Sequence, residues 1–63
     1  MIELTRLNDT KIILNADLIE SIEEVPDTVL TLTTGKKMFV KENRYEIREL
    51  VIRYKQEVFN KIL

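Results

Sequence analysis

Thr31-Leu32-Thr33-Thr34-Gly35-Lys36-Lys37-Met38-Phe39-Val40-Lys41-Glu42-Asn43 contains, within thirteen residues, both kinds of structure that this chain uses. Thr28 to Thr33 is rich in β-branched residues and reads as a strand. Thr34-Gly35 breaks it, and Lys36 to Lys41 returns as a second strand. A two-residue type I′ turn would put the β-branched Thr34 at positive φ, so the better reading is a type I turn followed by Gly35 in the left-handed region. Asn43 then opens a helix. Asn43-Arg44-Tyr45-Glu46 has the form of a capping box, in which Asn takes an orphan amide and Glu46 reaches back three residues.

Upstream of this stretch the same alternation repeats. Ile2 to Leu7 and Lys11 to Leu14 flank the turn residues Asn8-Asp9-Thr10, which predicts a β-hairpin. Leu18 to Val25 is two-sided: Leu18, Ile19, Ile22 and Val25 fit helical spacing behind an Asx cap, but the segment is short and lies between strands, and it is read as a strand. Pro26-Asp27 forms the next turn. Connections this short make neighbouring strands antiparallel. Alternation sets Ile2, Leu4, Leu30, Leu32, Met38 and Val40 on faces opposite to Leu7, Val29 and Phe39. One helix covers one face of a flat sheet, so the other needs a curl of the sheet or a partner.

Downstream, Ile47, Leu50, Val51, Tyr54, Val58, Phe59 and Ile62 recur at spacings of three, four and seven, an amphipathic stripe without Gly or Pro. A helix from Arg44 to Leu63 spans about 30 Å, against roughly 17 to 20 Å for a typical strand. The stripe therefore outruns its own sheet. A strong tilt or a frayed last turn is one account; the preferred one is a homo-oligomer contact through Tyr54, Val58, Phe59, Ile62 and Leu63. The fold class expected is α+β: a single domain with an antiparallel sheet of about five strands over residues 1–42 and a long C-terminal amphipathic helix over 43–63.

Composition narrows the chemistry. A chain of 63 residues buries only about 60% of its unfolded surface and commonly borrows stability from disulfides, a metal or association. With no Cys and no His, disulfides and zinc or haem ligand sets are excluded, which leaves association. No cofactor is expected. The acidic residues do not form a calcium loop, and Glu20, Glu23 and Glu24 alternate with apolar residues on a strand, as a solvated face does. Thr33 to Lys37 lacks the spacing and the following helix of a phosphate loop. Ser21 is the only serine, and no nucleophile–base pair can be assembled, so an enzyme is not expected. No run reaches the roughly 20 apolar residues of a membrane span, and the opening residues do not read as a signal peptide; the expectation is a cytoplasmic protein without direct membrane insertion.

Net charge is −1, but it is unevenly laid out. Residues 1–34 carry two basic against seven acidic side chains, and residues 35–63 carry eight against four. An acidic sheet beside a basic helix is the simplest account. The rival is a phosphate-facing strip of Lys36, Lys37, Lys41, Arg44, Arg48 and Arg53, with Phe39 as a stacking aromatic, in a small RNA-binding regulator.

Leu4-Thr5-Arg6-Leu7-Asn8, Leu14-Asn15, Ile19-Glu20, Pro26-Asp27-Thr28, Thr31-Leu32-Thr33, Gly35-Lys36-Lys37 and Val40-Lys41-Glu42, in this order and spacing, resemble the FlbD family of small flagellar proteins. The chain departs from the family's Asn-Gly hairpin tips at Asn8-Asp9 and Thr34-Gly35, and has Asn43 where a Ser often follows; each swap keeps turn or cap chemistry. The resemblance implies a non-enzymatic factor that supports swarming motility by acting on the torque-generating stator units of the flagellar motor. Under that reading Arg6, Lys36, Lys37 and Lys41 are the candidate partner-binding residues. The alternative is that these lysines only guard an edge strand against aggregation.

Overall fold

Gly35 sits at φ +88° and closes the hairpin of the Thr31–Asn43 stretch, its amide bonded to Leu32 O while the Leu32 amide bonds to Lys36 O, both at 2.8 Å. The computed structural model describes residues 1–62, with side chains through Asn60. Its strands are β1 (Ile2–Thr5), β2 (Lys11–Leu14), β3 (Ile19–Glu24), β4 (Thr28–Leu32) and β5 (Lys37–Val40), followed by one helix, α1 (Arg44–Ile62). The architecture is α+β, as the sequence predicts.

The first hairpin repeats the loop of the second. Asp9, at φ +69°, bonds its amide to Arg6 O, and the Arg6 amide bonds to Thr10 O, both at 2.9 Å. Asn8 Oδ1 holds this loop by accepting from the Thr10 amide and hydroxyl at 3.1 and 2.6 Å. Between the hairpins the ambiguous segment is a strand, as read, and of its helical alternative only the Asx cap is realised. Asn15 Oδ1 accepts from the Asp17 amide and caps a single 3₁₀ turn, Ala16–Leu18, before β3 begins. β3 then runs antiparallel to β4 with a register irregularity between Ile19 and Ser21. The Val25–Pro26 peptide in the β3–β4 turn is cis.

The five strands are divided between two sheets, β1-β2 and β3-β4-β5. A single bridge, Arg6 to Val40, and a 2.8 Å bond from the Lys41 amide to Thr5 O connect them. The strand order thus reads β2-β1-β5-β4-β3, with the pairing reduced to that one bridge at the β1–β5 junction. One side of the two sheets is covered: Ile2, Leu4, Leu14, Ala16, Leu30, Leu32 and Val40 form one core with Ile47 of the helix, and Met38 packs against it, while Leu7 and Phe39 on the other side stay exposed.

α1 packs on β1 and β3. Asn43 Oδ1 accepts from the Glu46 amide at 2.8 Å, one half of the expected capping box. Glu46 does not reach back to the Asn43 amide; the next amide, that of Arg44, donates to Glu24 at the end of β3 at 2.8 Å. A carboxylate at that position satisfies an orphan donor and opposes the positive end of the helix dipole.

Candidate functional site

β5 carries Lys37 and is flanked by Lys36 and Lys41, three of the four basic residues singled out in the sequence. Its register against β4 pairs Val29 with Phe39 and Thr31 with Lys37, whereas Leu30 pairs with Met38 and Thr28 with Val40. Leu30, Thr28 and Val40 are buried and Met38 half-buried, so Lys37 and Phe39 point the other way, and Lys41 follows at the same spacing. Lys37 and Lys41 are exposed, and Phe39 between them is 50% exposed. Arg6 lies opposite Val40, so its side chain starts from the face of Val40 and not from that of Lys37, Phe39 and Lys41. At 3.4 Å per residue Lys37 is about 14 Å along the strand from Lys41, and Lys36 at the hairpin tip about 17 Å. The structure therefore spreads the three lysines along β5 and its flanks and leaves Arg6 on the neighbouring segment, across from the Lys41 end. Lys41 also forms an ion pair with Asp9 across the two hairpins.

Phe39, which the sequence offers only as the stacking aromatic of the RNA-binding alternative, was not among the residues expected at a motor contact, although its signal was readable: Lys37-x-Phe39-x-Lys41 has the period of two that puts all three on one face. An aromatic ring between two ammonium groups offers apolar area and cation–π contact together, a combination enriched at binding surfaces.

The helix residues expected at an oligomer contact separate. Tyr54 is half-buried against the chain's own core, Val58 and Phe59 are 40% and 61% exposed, and the Ile62 side chain and Leu63 lie outside the described residues. Between α1 and β3 runs an open groove of about 640 Å³. Arg44, Arg48 and Lys55 line one wall, Asp17 and Glu20 the other, and Ile19, Ile22 and Val51 the floor. Lys55 and Asp17 face each other across it at 3.9 Å, both well exposed.

At the β1–β5 junction Glu42 accepts the Thr5 amide and hydroxyl, and Lys11 Nζ donates to the same hydroxyl at 2.8 Å. Partial burial pushes the Glu42 carboxyl up, but the two Thr5 bonds, its own amide and the Lys11 charge outweigh this and hold it below the usual carboxylate range. Among the described residues no His, Cys, Asp or Glu cluster is arranged to hold a metal ion, and no helix is long and apolar enough to cross a membrane.

These features define a small α+β domain whose most distinctive surface is a basic, aromatic-bearing strand face. Residues 1–59 match the family model of FlbD, flagellar and swarming motility proteins, and the chain belongs to the FlbD family. Neither curated proteins nor solved structures give a match.

Proposed function

We propose that this protein supports flagellar motility as a non-enzymatic accessory of the motor, promoting stator function and torque through protein–protein contact. Membership of a flagellar and swarming motility family supports the cellular role. The observation that carries the contact is the alignment of Lys37, Phe39 and Lys41 on one exposed face along β5 and the residue that follows it. Such a face suits an acidic surface on the cytoplasmic side of a stator or motor protein, where complementary charge sets orientation and association rate more than affinity. The protein would then act in the cytoplasm, peripherally at the motor.

Crosslinking pull-down from cells, comparing tagged wild type with Lys36→Glu/Lys37→Glu, tests the proposal. Stator proteins should be recovered with the wild type and lost with the variant, and the variant should swarm poorly while its circular dichroism is unchanged. Normal swarming by a folded variant would remove these lysines from the contact. Phe39 between lysines also favours a second reading, stacking of single-stranded RNA bases. Salt-sensitive recovery of RNA, with no motor component, would select that reading.

A further inference from the structure

Two strands of the fold have one whole side unpaired, β2 and β3, and they are protected very differently. β3 carries Glu20, Glu23 and Glu24, so pairing it with another β3 would set carboxylates against carboxylates. β2 is Lys11-Ile12-Ile13-Leu14, and its one charge is Lys11. That ammonium is turned back over β1 to the Thr5 hydroxyl at 2.8 Å, and so does not guard the edge. Ile13, 67% exposed, stands on the outer face.

Register fixes which backbone groups this edge offers. Arg6 and Thr10 close the hairpin through an N–H···O bond, and β1 pairs Leu4 with Ile12 and Ile2 with Leu14. Hydrogen-bonded pairs alternate along an antiparallel ladder, so Thr10, Ile12 and Leu14 bond inward to β1 while Lys11 and Ile13 direct their N–H and C=O groups outward. The same parity on β1 directs the Thr5 groups away from β2, where Glu42 and the Lys41 amide take them. Neither Lys11 nor Ile13 has an outward backbone partner among the described residues.

We infer that this edge is a self-association site that takes the β2 edge of a second copy of this chain, antiparallel about a two-fold axis at Ile12. In that register Lys11 of each copy faces Ile13 of the partner subunit. Four N–H···O bonds form and satisfy every outward group of both β2 edges. Ile12, half-buried in one copy, meets Ile12 of the partner subunit on the core side, and Ile13 lies along the aliphatic stem of the partner subunit's Lys11. The sheet continues as β1-β2-β2-β1. Two residues of edge per copy make a contact far smaller than a standard interface, so the dimer forms at high micromolar concentration rather than permanently.

Sedimentation equilibrium from low micromolar to millimolar protein tests this, with amide exchange at Lys11 and Ile13 as a local readout. Wild type should shift from monomer toward dimer with concentration, and protection of those two amides should rise in step. Ile13→Pro removes one outward donor at an edge position that tolerates proline, and Ile13→Lys sets an ammonium against Lys11 of the partner subunit. Both variants should keep the wild-type circular dichroism and stay monomeric. A wild type that is monomeric at millimolar concentration overturns the inference. So does a dimer that survives Ile13→Pro, or one that is lost only in Phe59→Ser, which would place the contact at the helix end.

Discussion

Glu42 holds Thr5 by two bonds at once, from the amide to Oε1 at 2.8 Å and from the hydroxyl to Oε2 at 2.7 Å, although 37 residues separate them in the chain. Glu42 lies between β5 and α1, and Thr5 ends β1 where the two sheets meet. One carboxylate therefore ties the two sheets together at the place where strand-to-strand pairing is reduced to a single bridge.

Glu42→Ala should consequently cost more than an ordinary surface substitution. It leaves the amide and hydroxyl of Thr5, a buried residue, without acceptors, at a cost of about 1 to 3 kcal/mol. Glu42→Gln keeps one carbonyl acceptor and should fall between wild type and Ala. Urea unfolding with a shared slope reads both, and a Glu42→Ala midpoint equal to wild type would show that the junction holds without this carboxylate.

The same pair gives the fold an acid sensitivity. The carboxyl of Glu42 is depressed in the folded state, so its contribution is fully present above the unfolded carboxylate pKa and is lost as pH falls through the lower folded value. Stability should decline below about pH 4, and Glu42→Gln should flatten that part of the curve. Lys11→Met should shift the decline to higher pH, because it removes the charge that favours the ionised form. Thermal melts across the acid range check both directions.

Gly35 and Asp9 occupy equivalent loop positions at positive φ, and the two sites should respond oppositely to exchange. Gly35→Ala meets no atom within 4 Å of the added Cβ, so its cost is that of the backbone conformation alone, about 1 kcal/mol. Asp9→Gly relieves that strain in the first hairpin but gives up an exposed ion pair with Lys41, a small loss. A net gain below about 1 kcal/mol is expected, measured by chemical denaturation.

What the sequence could disclose was set by range. Leu4, Leu30 and Val40 lie on the core side because alternation within each strand requires it, and Asn43 caps α1 because its acceptor is three residues from the donor. Glu24 and the Arg44 amide are 20 residues apart, and no local pattern indicates that a β3 carboxylate will take the first amide of the helix. The division into two sheets was hidden for the same reason. It rests on Arg6 meeting Val40 through a single bridge, a contact between segments whose own patterns read alike whether they join one sheet or two. Basic residues of the candidate site were legible as charges. Their spread along β5, and the place of Phe39 among them, needed the register.

Phe39 gives the sharpest separation of function from folding. Its ring is half exposed on the outer face, paired with Val29 and remote from the Leu4–Leu30–Ile47 core, so Phe39→Ser should cost about 1 kcal/mol or less. The proposed motor contact would lose its central apolar anchor, and swarming should fall by as much as in Lys36→Glu/Lys37→Glu. A swarming assay run beside urea unfolding distinguishes the two effects, and normal swarming would take the strand face out of the contact.

The helix supplies a gradient of expected effects that runs along a single apolar stripe. Ile47 is fully buried at the meeting point of both sheets, so Ile47→Ala creates a cavity and should cost about 2 to 5 kcal/mol, a large fraction of the stability of so short a chain. Tyr54 is only half-buried, at the limit of the core, and Tyr54→Ala should cost less. Phe59, 61% exposed, contributes little to the isolated fold, so Phe59→Ser should change the unfolding midpoint by less than about 0.5 kcal/mol. Measured at low protein concentration, where association is absent, the three values should fall in that order. A large loss at Phe59 under those conditions would mean that the helix end packs on its own domain, and the stripe beyond Tyr54 would then need no partner at all.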